Sequence, residues 1–276
     1  MNDTLREWND NAAAWREHSA TIRTLFAPLT EAIIEDARIS TGQHVLDVAG
    51  GPGEPSLTIA EHVGPTGSVM CTDATPAMVA AAEEEAKRRG LTNVRFRQCL
   101  ADALPFADES FDAAVSRLGV MFFPDTLAAL REMLRVIKPK GALCFVVWAP
   151  SERNPFTSSV NKVMSRHMPM PPAEPDAPGA FRFSEQGKLA GLLAQAGATN
   201  VRERELNFRM EAAMSREEYW RLRSATSGTL REKLATLPHE QREQMGAEVI
   251  AEVREFFPDN QMSFPAQMLV ISAQKP

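Results

Sequence analysis

Basic residues and long apolar runs are both scarce in this sequence. Its 30 Lys and Arg side chains are outnumbered by 36 Asp and Glu, for a net charge of −6 and a pI near 5.5. Nucleic-acid binding requires concentrated Lys and Arg, so we expect no nucleic-acid partner. The longest apolar run, residues 141–150, is far too short to span a bilayer. Acids at positions 3, 7 and 10 occupy the place where a signal peptide needs positive charge, so we expect a cytoplasmic protein.

Cysteine is also rare, with three residues in the whole chain. Cys71, Cys99 and Cys144 each fall in a predicted strand and show no zinc spacing. They are typical of small core residues in a reducing compartment, and we predict no metal site.

From residue 44 onward, apolar runs alternate with helical patterns. The predicted strands are 44–49, 68–73, 94–99, 111–116, 142–148, 200–209 and 264–273, and the predicted core helices are 55–63, 76–89, 126–137 and 185–196. Two amphipathic helices, 4–18 and 21–37, precede them. Alternating strands and helices predict an α/β fold with a doubly wound, mostly parallel seven-stranded sheet. Ligands bind such sheets at the carboxyl ends of the strands.

The first predicted strand leads directly into a glycine-rich loop. It carries one acid, Asp47, and is followed by Gly50, Gly51 and Gly53 and then by a helix start. Glycines let a ligand approach the bare main chain, and a helix N-terminus presents free N–H groups. Asp73 ends the next strand, where a carboxylate is well placed to accept both hydroxyls of a ribose. The pattern therefore indicates a site for a nucleoside-containing cofactor.

Two classes of cofactor suit this loop. The spacing Gly51-x-Gly53-x-x-Ser56, with Asp73 twenty residues after Gly53, is a near match to the dinucleotide fingerprint. Asp47 would repel a pyrophosphate but could serve an ammonium group. In addition, Asp102 lies in a loop before the strand at 111–116, where it could accept a hydrogen bond from the amine of adenine. Both acids favour S-adenosylmethionine.

These motifs, with the stretch Ala-Leu-Pro-Phe at 103–106 and Phe-Asp at 111–112, resemble class I S-adenosylmethionine-dependent methyltransferases. Within that class, the chain is similar to the ubiquinone/menaquinone C-methyltransferases and their small-molecule relatives over roughly residues 43–148. The resemblance implies a cofactor site in which Asp47 orients the methionine part, Asp73 holds the ribose and Met78 packs on adenine. The cofactor residues it implies are Asp47, Ala49, Gly50, Gly51, Gly53, Asp73, Ala74, Met78, Ala101, Asp102 and Ala103. Three further candidates come from the residues themselves: Trp15 could cover the cationic sulfur, and Ser116 and Arg117 fall at a strand end. Ala49 replaces the first loop glycine of the class, as in the quinone enzymes.

Residues for the acceptor and for proton transfer are harder to select. His18 on the first helix and His167 further along are candidate general bases, although each could be an ordinary surface histidine. Arg117 could bind a carboxylate or pair with Asp112. The candidate acceptor-binding residues are Met121, Phe122, Phe181 and Tyr219, with core packing as the alternative.

The chain divides into five predicted parts. Residues 1–40 are helices that cover the site, 41–150 form the cofactor-binding core, 151–213 hold a loop-rich segment with a core helix and strand, 214–260 form a helical lid, and 261–276 hold the last strand. Five prolines between positions 168 and 179 indicate either a disordered linker or a stiff active-site loop.

Together these features predict methyl transfer from S-adenosylmethionine, leaving S-adenosylhomocysteine, to a small and fairly hydrophobic acceptor. No Asn/Asp-Pro-Pro-Tyr/Phe follows the strand at 111–116, which counts against methylation of DNA bases or glutamine. A nicotinamide-dependent oxidoreductase and a non-catalytic S-adenosylmethionine-binding protein stay open as alternatives. The sequence does not distinguish a monomer from a homodimer.

Overall fold

The computed structural model describes residues 3–169, 174 and 176–276. Seven strands form one sheet in the order β3-β2-β1-β4-β5-β7-β6. They are β1 (His44–Val48), β2 (Ser68–Asp73), β3 (Val94–Gln98), β4 (Phe111–Arg117), β5 (Ile137–Trp148), β6 (Thr199–Ala212) and β7 (Met262–Gln274). Strand β7 runs antiparallel to both of its neighbours, and the pairs among β1 to β5 are parallel. The predicted doubly wound, mostly parallel sheet is confirmed.

Helices pack on both faces of this sheet. They are α1 (Asp3–Glu17), α2 (Ser19–Leu25), α3 (Ala27–Asp36), α4 (Ser56–Val63), α5 (Pro76–Arg88), α6 (Thr126–Val136), α7 (Pro155–His167), α8 (Lys188–Ala196), α9 (Arg216–Thr226), α10 (Gly228–Ala235) and α11 (His239–Glu252). The crossover through α4 and the crossover through α6 advance across the sheet in opposite directions, so right-handed connections place these helices on opposite faces. Helix α3 packs against α4, and α8 packs against α6.

Two segments differ from the expectation. The helix predicted over 21–37 is two helices that meet at Phe26, because Pro28 in the first turn of α3 has no N–H to continue α2. The stretch expected to be loop-rich contains α7, which begins with Pro155 after Asn154. The prediction of a disordered linker or a stiff loop at 168–179 concerns mainly residues 170–173 and 175. These lie outside the described residues.

Three helices, α9 to α11, lie in the chain between β6 and β7, although these strands are direct neighbours in the sheet. Helix α9 begins with a capping box, in which Ser215 and Glu218 each accept the other's backbone N–H. Helix α1 packs against α5, α9 and α10, and α11 packs against α7 and α9. We call α1, α7, α9 and α10 the helical cover, because residues from all four face the carboxyl ends of the strands.

Candidate active site

A cavity of about 470 Å³ lies at the carboxyl ends of β1, β2 and β4. One wall consists of the loops that follow these strands and β3, which we call the sheet edge. The helical cover forms the opposite wall. Loops at strand ends thus meet helices that are distant in the chain.

The glycine-rich loop after β1 forms the base of the sheet edge. A Cβ atom on Gly50 would lie 2.6 Å from Asp47 Oδ2 and 2.7 Å from Cys71 Sγ, so only glycine fits there. Gly51 has a φ of +55°, and its N–H donates to Asp73 Oδ2 at 3.1 Å. Ala49, Gly50 and Gly51 line the cavity, whereas Gly53 does not. This loop is therefore fixed against the end of β2 with its backbone facing the cavity.

Asp47 lies beneath this loop and is fully buried. Its Oδ2 accepts hydrogen bonds from the Ser56 N–H at 3.1 Å and the Ser56 hydroxyl at 2.6 Å. Burial raises the pKa of Asp47 to about 7, although these hydrogen bonds and the nearby Arg117 act against the rise. Asp47 does not line the cavity, which corrects the expectation that it touches the cofactor directly. It instead joins the end of β1 to the start of α4.

Asp73 lines the cavity at the end of β2 and is half-buried. Its Oδ1 accepts from the Thr75 N–H at 2.9 Å and the Thr75 hydroxyl at 2.8 Å, while its Oδ2 accepts from Gly51. Burial raises the pKa of this carboxyl, and the hydrogen bonds from Thr75 and Gly51 oppose the rise. Oδ1 thus accepts two hydrogen bonds and Oδ2 accepts one, so Oδ2 keeps accepting capacity toward the cavity.

The loops after β2 and β3 complete this end of the cavity. Ala74, Met78, Ala101 and Asp102 all line it, as their proposed contact with adenine and ribose requires. Ala103 does not line it, which corrects its assignment.

Arg117 lines the cavity at the end of β4 and is buried. Its guanidinium donates to Thr30 Oγ1 at 2.9 Å and to the carbonyl oxygen of Glu54 at 3.1 Å. It does not pair with Asp112, which lies at the opposite end of β4 and binds Lys138 Nζ at 2.6 Å. Burial lowers the pKa of Arg117, with Glu54 and Asp47 acting against this change. The arginine thus joins α3 to the glycine-rich loop.

Its neighbour Ser116 is also buried but does not line the cavity. Space is tight behind this end of β4, since a Cβ atom on Gly119 would lie 2.8 Å from Ser116 Oγ. The expectation that Ser116 contacts the cofactor is therefore corrected.

Glu54 is a wall residue that the sequence reasoning did not select. Its Oε1 pairs with Arg89 Nη1 at 2.5 Å, and Arg89 also pairs with Glu61. Its Oε2 is buried and has no hydrogen-bond partner among the described residues. One feature of the sequence could have indicated Glu54: it directly follows Gly53, and any side chain there lies beside the backbone of the glycine-rich loop.

Aromatic rings from the helical cover, from the segment after β4 and from the end of β5 form part of the cavity wall. Trp8 contacts Trp15 and Phe122 edge-to-face, with ring centroids 5.7 and 5.0 Å apart. Met121 and Phe122 line the cavity as expected, and Trp148 and Phe156 line it without having been selected. Trp15 also lines the cavity, and its indole N–H donates to the carbonyl oxygen of Thr226 at 2.9 Å, which joins α1 to α9.

Two candidate acceptor residues lie elsewhere. Tyr219 is fully buried, donates its hydroxyl to the Phe156 carbonyl oxygen at 2.7 Å, and stacks on Phe264. Phe181 packs toward Trp148 with ring centroids 6.3 Å apart and does not line the cavity. Both expectations are corrected: these rings hold the helical cover and the adjoining loop against the sheet.

The two candidate bases are also placed away from the cavity. His18 lies at the junction of α1 and α2, outside the lining residues. His167 ends α7, and its Nε2 lies 3.2 Å from Glu248 Oε2 of α11. All five histidines of the chain fall within the described residues, and none lines the cavity. Helical periodicity could not reveal this, since it does not show which face of a helix meets the site.

The sheet edge fits S-adenosylmethionine. The Glu54 carboxylate on the cavity wall can attract an ammonium group, and Asp73 Oδ2 can accept from a ribose hydroxyl. Met78 offers an apolar surface to a purine, and Asp102 can accept from its amine. Among the described residues, no group of three or more His, Cys, Asp or Glu is arranged to hold a metal ion.

Comparison with known proteins agrees with this geometry. The ubiE/COQ5 methyltransferase family matches residues 25–173, which is more than half of the chain. The chain belongs to this family. It is 32% identical over 187 residues to an uncharacterized protein of Mycobacterium tuberculosis, a match that covers 67% of this chain and 64% of that relative.

The chain is also 30% identical over 178 residues to the ubiquinone/menaquinone biosynthesis C-methyltransferase UbiE of Cellvibrio japonicus. This match covers 61% of this chain and 72% of that enzyme. Among solved structures, phosphoethanolamine N-methyltransferase 2 of Haemonchus contortus, in complex with S-adenosylhomocysteine, superposes with a TM-score of 0.59. It is 16% identical, and the match covers 99% of this chain and 60% of that one, so it shows a shared fold. The comparisons support neither the oxidoreductase nor the non-catalytic alternative.

The family match confirms the predicted methyltransferase class and its Rossmann-like fold. It does not reach α9 to α11, which follow residue 173. Within the part of the chain that the structure describes, no helix combines the length and apolarity that crossing a membrane requires.

Proposed function

We propose that the protein transfers a methyl group from S-adenosylmethionine to a small, apolar acceptor. The observation that carries this proposal is one continuous cavity with two chemically different walls. The sheet edge presents acids and bare backbone to the cofactor, and the helical cover presents aromatic rings to the acceptor. When bound, the cofactor supplies a methyl group already activated by its sulfonium.

The residues of the chain then have mainly a positioning task. Asp73 holds the ribose, Asp102 accepts from the adenine amine, and Met78 packs on the purine face. Glu54 accepts from the ammonium of the methionine part beside Gly51. Holding two reactants in line is worth about 7–11 kcal/mol of the barrier.

The wall of the cavity favours this cofactor over a dinucleotide. Glu54 directly follows Gly53 and lines the cavity, and Asp47 lies beneath the same loop. A pyrophosphate at that loop would meet two acids, whereas an ammonium group would be attracted.

The aromatic part of the cavity wall suits a methyl transfer that uses no histidine as a general base. A sulfonium methyl reacts with a nucleophile that is already deprotonated or nearly so, provided that the two are aligned and water is excluded. Trp8, Phe122 and Phe156 supply an apolar surface for that purpose. We therefore propose that catalysis by this protein rests on alignment rather than on a histidine base.

Several further statements belong to this proposal. We propose a small-molecule acceptor rather than a nucleic acid, because the net charge is −6. A cytoplasmic location stays a prediction, and so does the choice between a monomer and a homodimer. The division into five parts also stays a prediction, with 214–260 as the proposed lid.

Replacement of Asp73 tests the cofactor site. Asp73→Ala should weaken binding of S-adenosylhomocysteine by about 1.5–3 kcal/mol, because a charged hydrogen bond to the ribose is lost. Asp73→Asn should retain part of the affinity. Titration calorimetry measures both effects.

Asp112→Ala is the matched control, because Asp112 also accepts a backbone N–H but lies at the other end of the sheet. It should leave cofactor affinity unchanged. Equal affinity in the Asp73→Ala variant and the wild type would overturn the proposed ribose site. Transfer of a radiolabelled methyl group to a panel of phenols, amines and quinols tests turnover, which a non-catalytic binding protein would lack.

A further inference from the structure

Arg223 of α9 is a cation on the wall of the helical cover, and no described residue forms an ion pair with it. It lines the cavity, and its guanidinium carbon lies 5.0 Å from the centroid of the Phe156 ring. Its Nε is buried and has no hydrogen-bond partner among the described residues. A buried donor without an acceptor is costly, and on a cavity wall a bound ligand can supply the missing acceptor.

The other arginines on the cavity wall are placed differently. Arg117 donates to Thr30 and to the Glu54 carbonyl oxygen, and two acids lie close enough to influence it. Arg23 is exposed and lies near Glu85. Around Arg223, by contrast, the group that favours the charged form is the hydroxyl of Tyr219, and no carboxylate contributes.

The surroundings of Arg223 define the molecule that would suit it. Phe156 and the other aromatic rings of the cover provide an apolar surface. A guanidinium binds a carboxylate through two parallel N–H···O bonds. A phosphate monoester carries nearly two charges and three acceptor oxygens, for which a single guanidinium provides too few donors.

We propose that Arg223 binds a carboxylate of the acceptor, so that the methylated molecule is an apolar organic acid. This inference rests on the proposed function and specifies its substrate class. The apolar body lies against the aromatic wall, the carboxylate pairs with Arg223, and the acid thereby presents its nucleophile toward the sheet edge.

Binding of matched probes tests the proposal without knowledge of the natural acceptor. The probes are 3-phenylpropionate and its neutral counterpart 3-phenylpropionamide, titrated into protein saturated with S-adenosylhomocysteine. The wild type should prefer the acid by about tenfold or more, since a charged hydrogen-bonded pair replaces a neutral one. Arg223→Gln should abolish this preference, and Arg223→Lys should retain part of it.

Arg221→Gln is the matched control, because Arg221 lies on the exposed side of the same helix. It should keep the preference of the wild type. Equal binding of both probes by the wild type, binding of neither probe, or a preference that persists in Arg223→Gln would each overturn the proposal. If Arg223→Gln does not fold, the wild-type preference and the Arg223→Lys variant still decide.

Affinity for S-adenosylhomocysteine, measured on the same samples, separates this proposal from the broader one. Protein that binds the nucleoside but shows no preference for the acid refutes only the role of Arg223. Protein that does not bind the nucleoside refutes the proposed methyl transfer itself.

Discussion

The sheet edge and the helical cover form one cavity but are built in different ways. At the sheet edge, Asp47 and Asp73 accept hydrogen bonds from Ser56 and Thr75, which lie close to them in the chain. In the cover, the contacts join distant segments, as when Trp15 binds Thr226. The edge is therefore a local structure repeated at several strand ends, whereas the cover exists only as a tertiary assembly.

The two walls also differ in how they tolerate buried charge. Asp47 is buried with two hydrogen bonds from Ser56 and with Arg117 nearby. Arg223 is flanked by rings and one hydroxyl. At the edge, Ser56 and Thr75 donate hydrogen bonds to Asp47 and Asp73, whereas we infer that Arg223 in the cover relies on a ligand for a charged partner. This difference suits a common cofactor on one side and a specific acceptor on the other.

The largest expected effect concerns the charge beneath the glycine-rich loop. Because burial raises the pKa of Asp47 to about 7, from 3.8, its contribution to stability is fully present below about pH 4. That contribution is lost as the pH rises through 7. At about 1.4 kcal/mol for each pKa unit, the loss reaches about 4 kcal/mol. Asp47→Asn should therefore be more stable than the wild type at pH 8 and lose this advantage near pH 4, as denaturant titrations at several pH values would measure.

Asp112→Asn provides a control of opposite sign. Burial of Asp112 is outweighed by hydrogen bonds from the His44 N–H and from Lys138, which hold its pKa below the usual value. The stability it contributes is present at neutral pH and is lost as the pH falls through the folded-state pKa. Asp112→Asn should thus be less stable than the wild type at neutral pH. A pH-independent difference in both variants would contradict this account of the sheet edge.

A smaller effect is expected where the cover is joined together. Trp15→Phe removes the hydrogen bond to the Thr226 carbonyl oxygen and should lower the free energy of unfolding by about 1–2 kcal/mol. Amide exchange in residues 216–235 should become faster, because α9 loses a link to α1. Trp8→Phe keeps a ring against Phe122 and should change exchange in that segment less. Slower or unchanged exchange in Trp15→Phe would show that the cover is held by packing alone.

The smallest effects are expected at the histidines. His18→Ala and His167→Ala should each keep wild-type turnover with any acceptor that the protein methylates, because neither side chain lines the cavity. A general base in contact with the acceptor would contribute about 10²–10⁴-fold. A loss of that size in either variant, measured at saturating cofactor, would restore a histidine to the reaction and disprove the proposed alignment mechanism.

The elements of the core could be predicted closely because their signals are local. The apolar runs of β1, β2 and β4, and the capping residues of α5 and α6, mark their own ends. The break at Phe26 was missed because the apolar stripe continues through it, although Pro28 was visible. Helix α7 was missed because prolines around it suggested a loop, yet Pro155 serves as a helix start.

The same distinction applies to the site. Gly50, Gly51, Asp73, Met78 and Asp102 lie on the wall where strand-end position predicted them. Tyr219 was predicted to contact the acceptor because it lies within the predicted lid, but it faces Phe156 and Phe264 in the interior. The spacing of apolar residues predicts the apolar face of a helix, but it does not indicate which neighbouring element that face contacts.

Strand, glycine loop and acid follow one another within a few residues, so the order of amino acids was enough to establish the fold, the family and the cofactor end of the cavity. The acceptor end depends on which faces of α1, α7, α9 and α10 come together, and these helices are separated by up to two hundred residues of chain. Tertiary packing determines which helix faces meet, because the sequence of one helix does not identify the element it packs against. It placed Arg223 on the wall and both candidate histidines away from it.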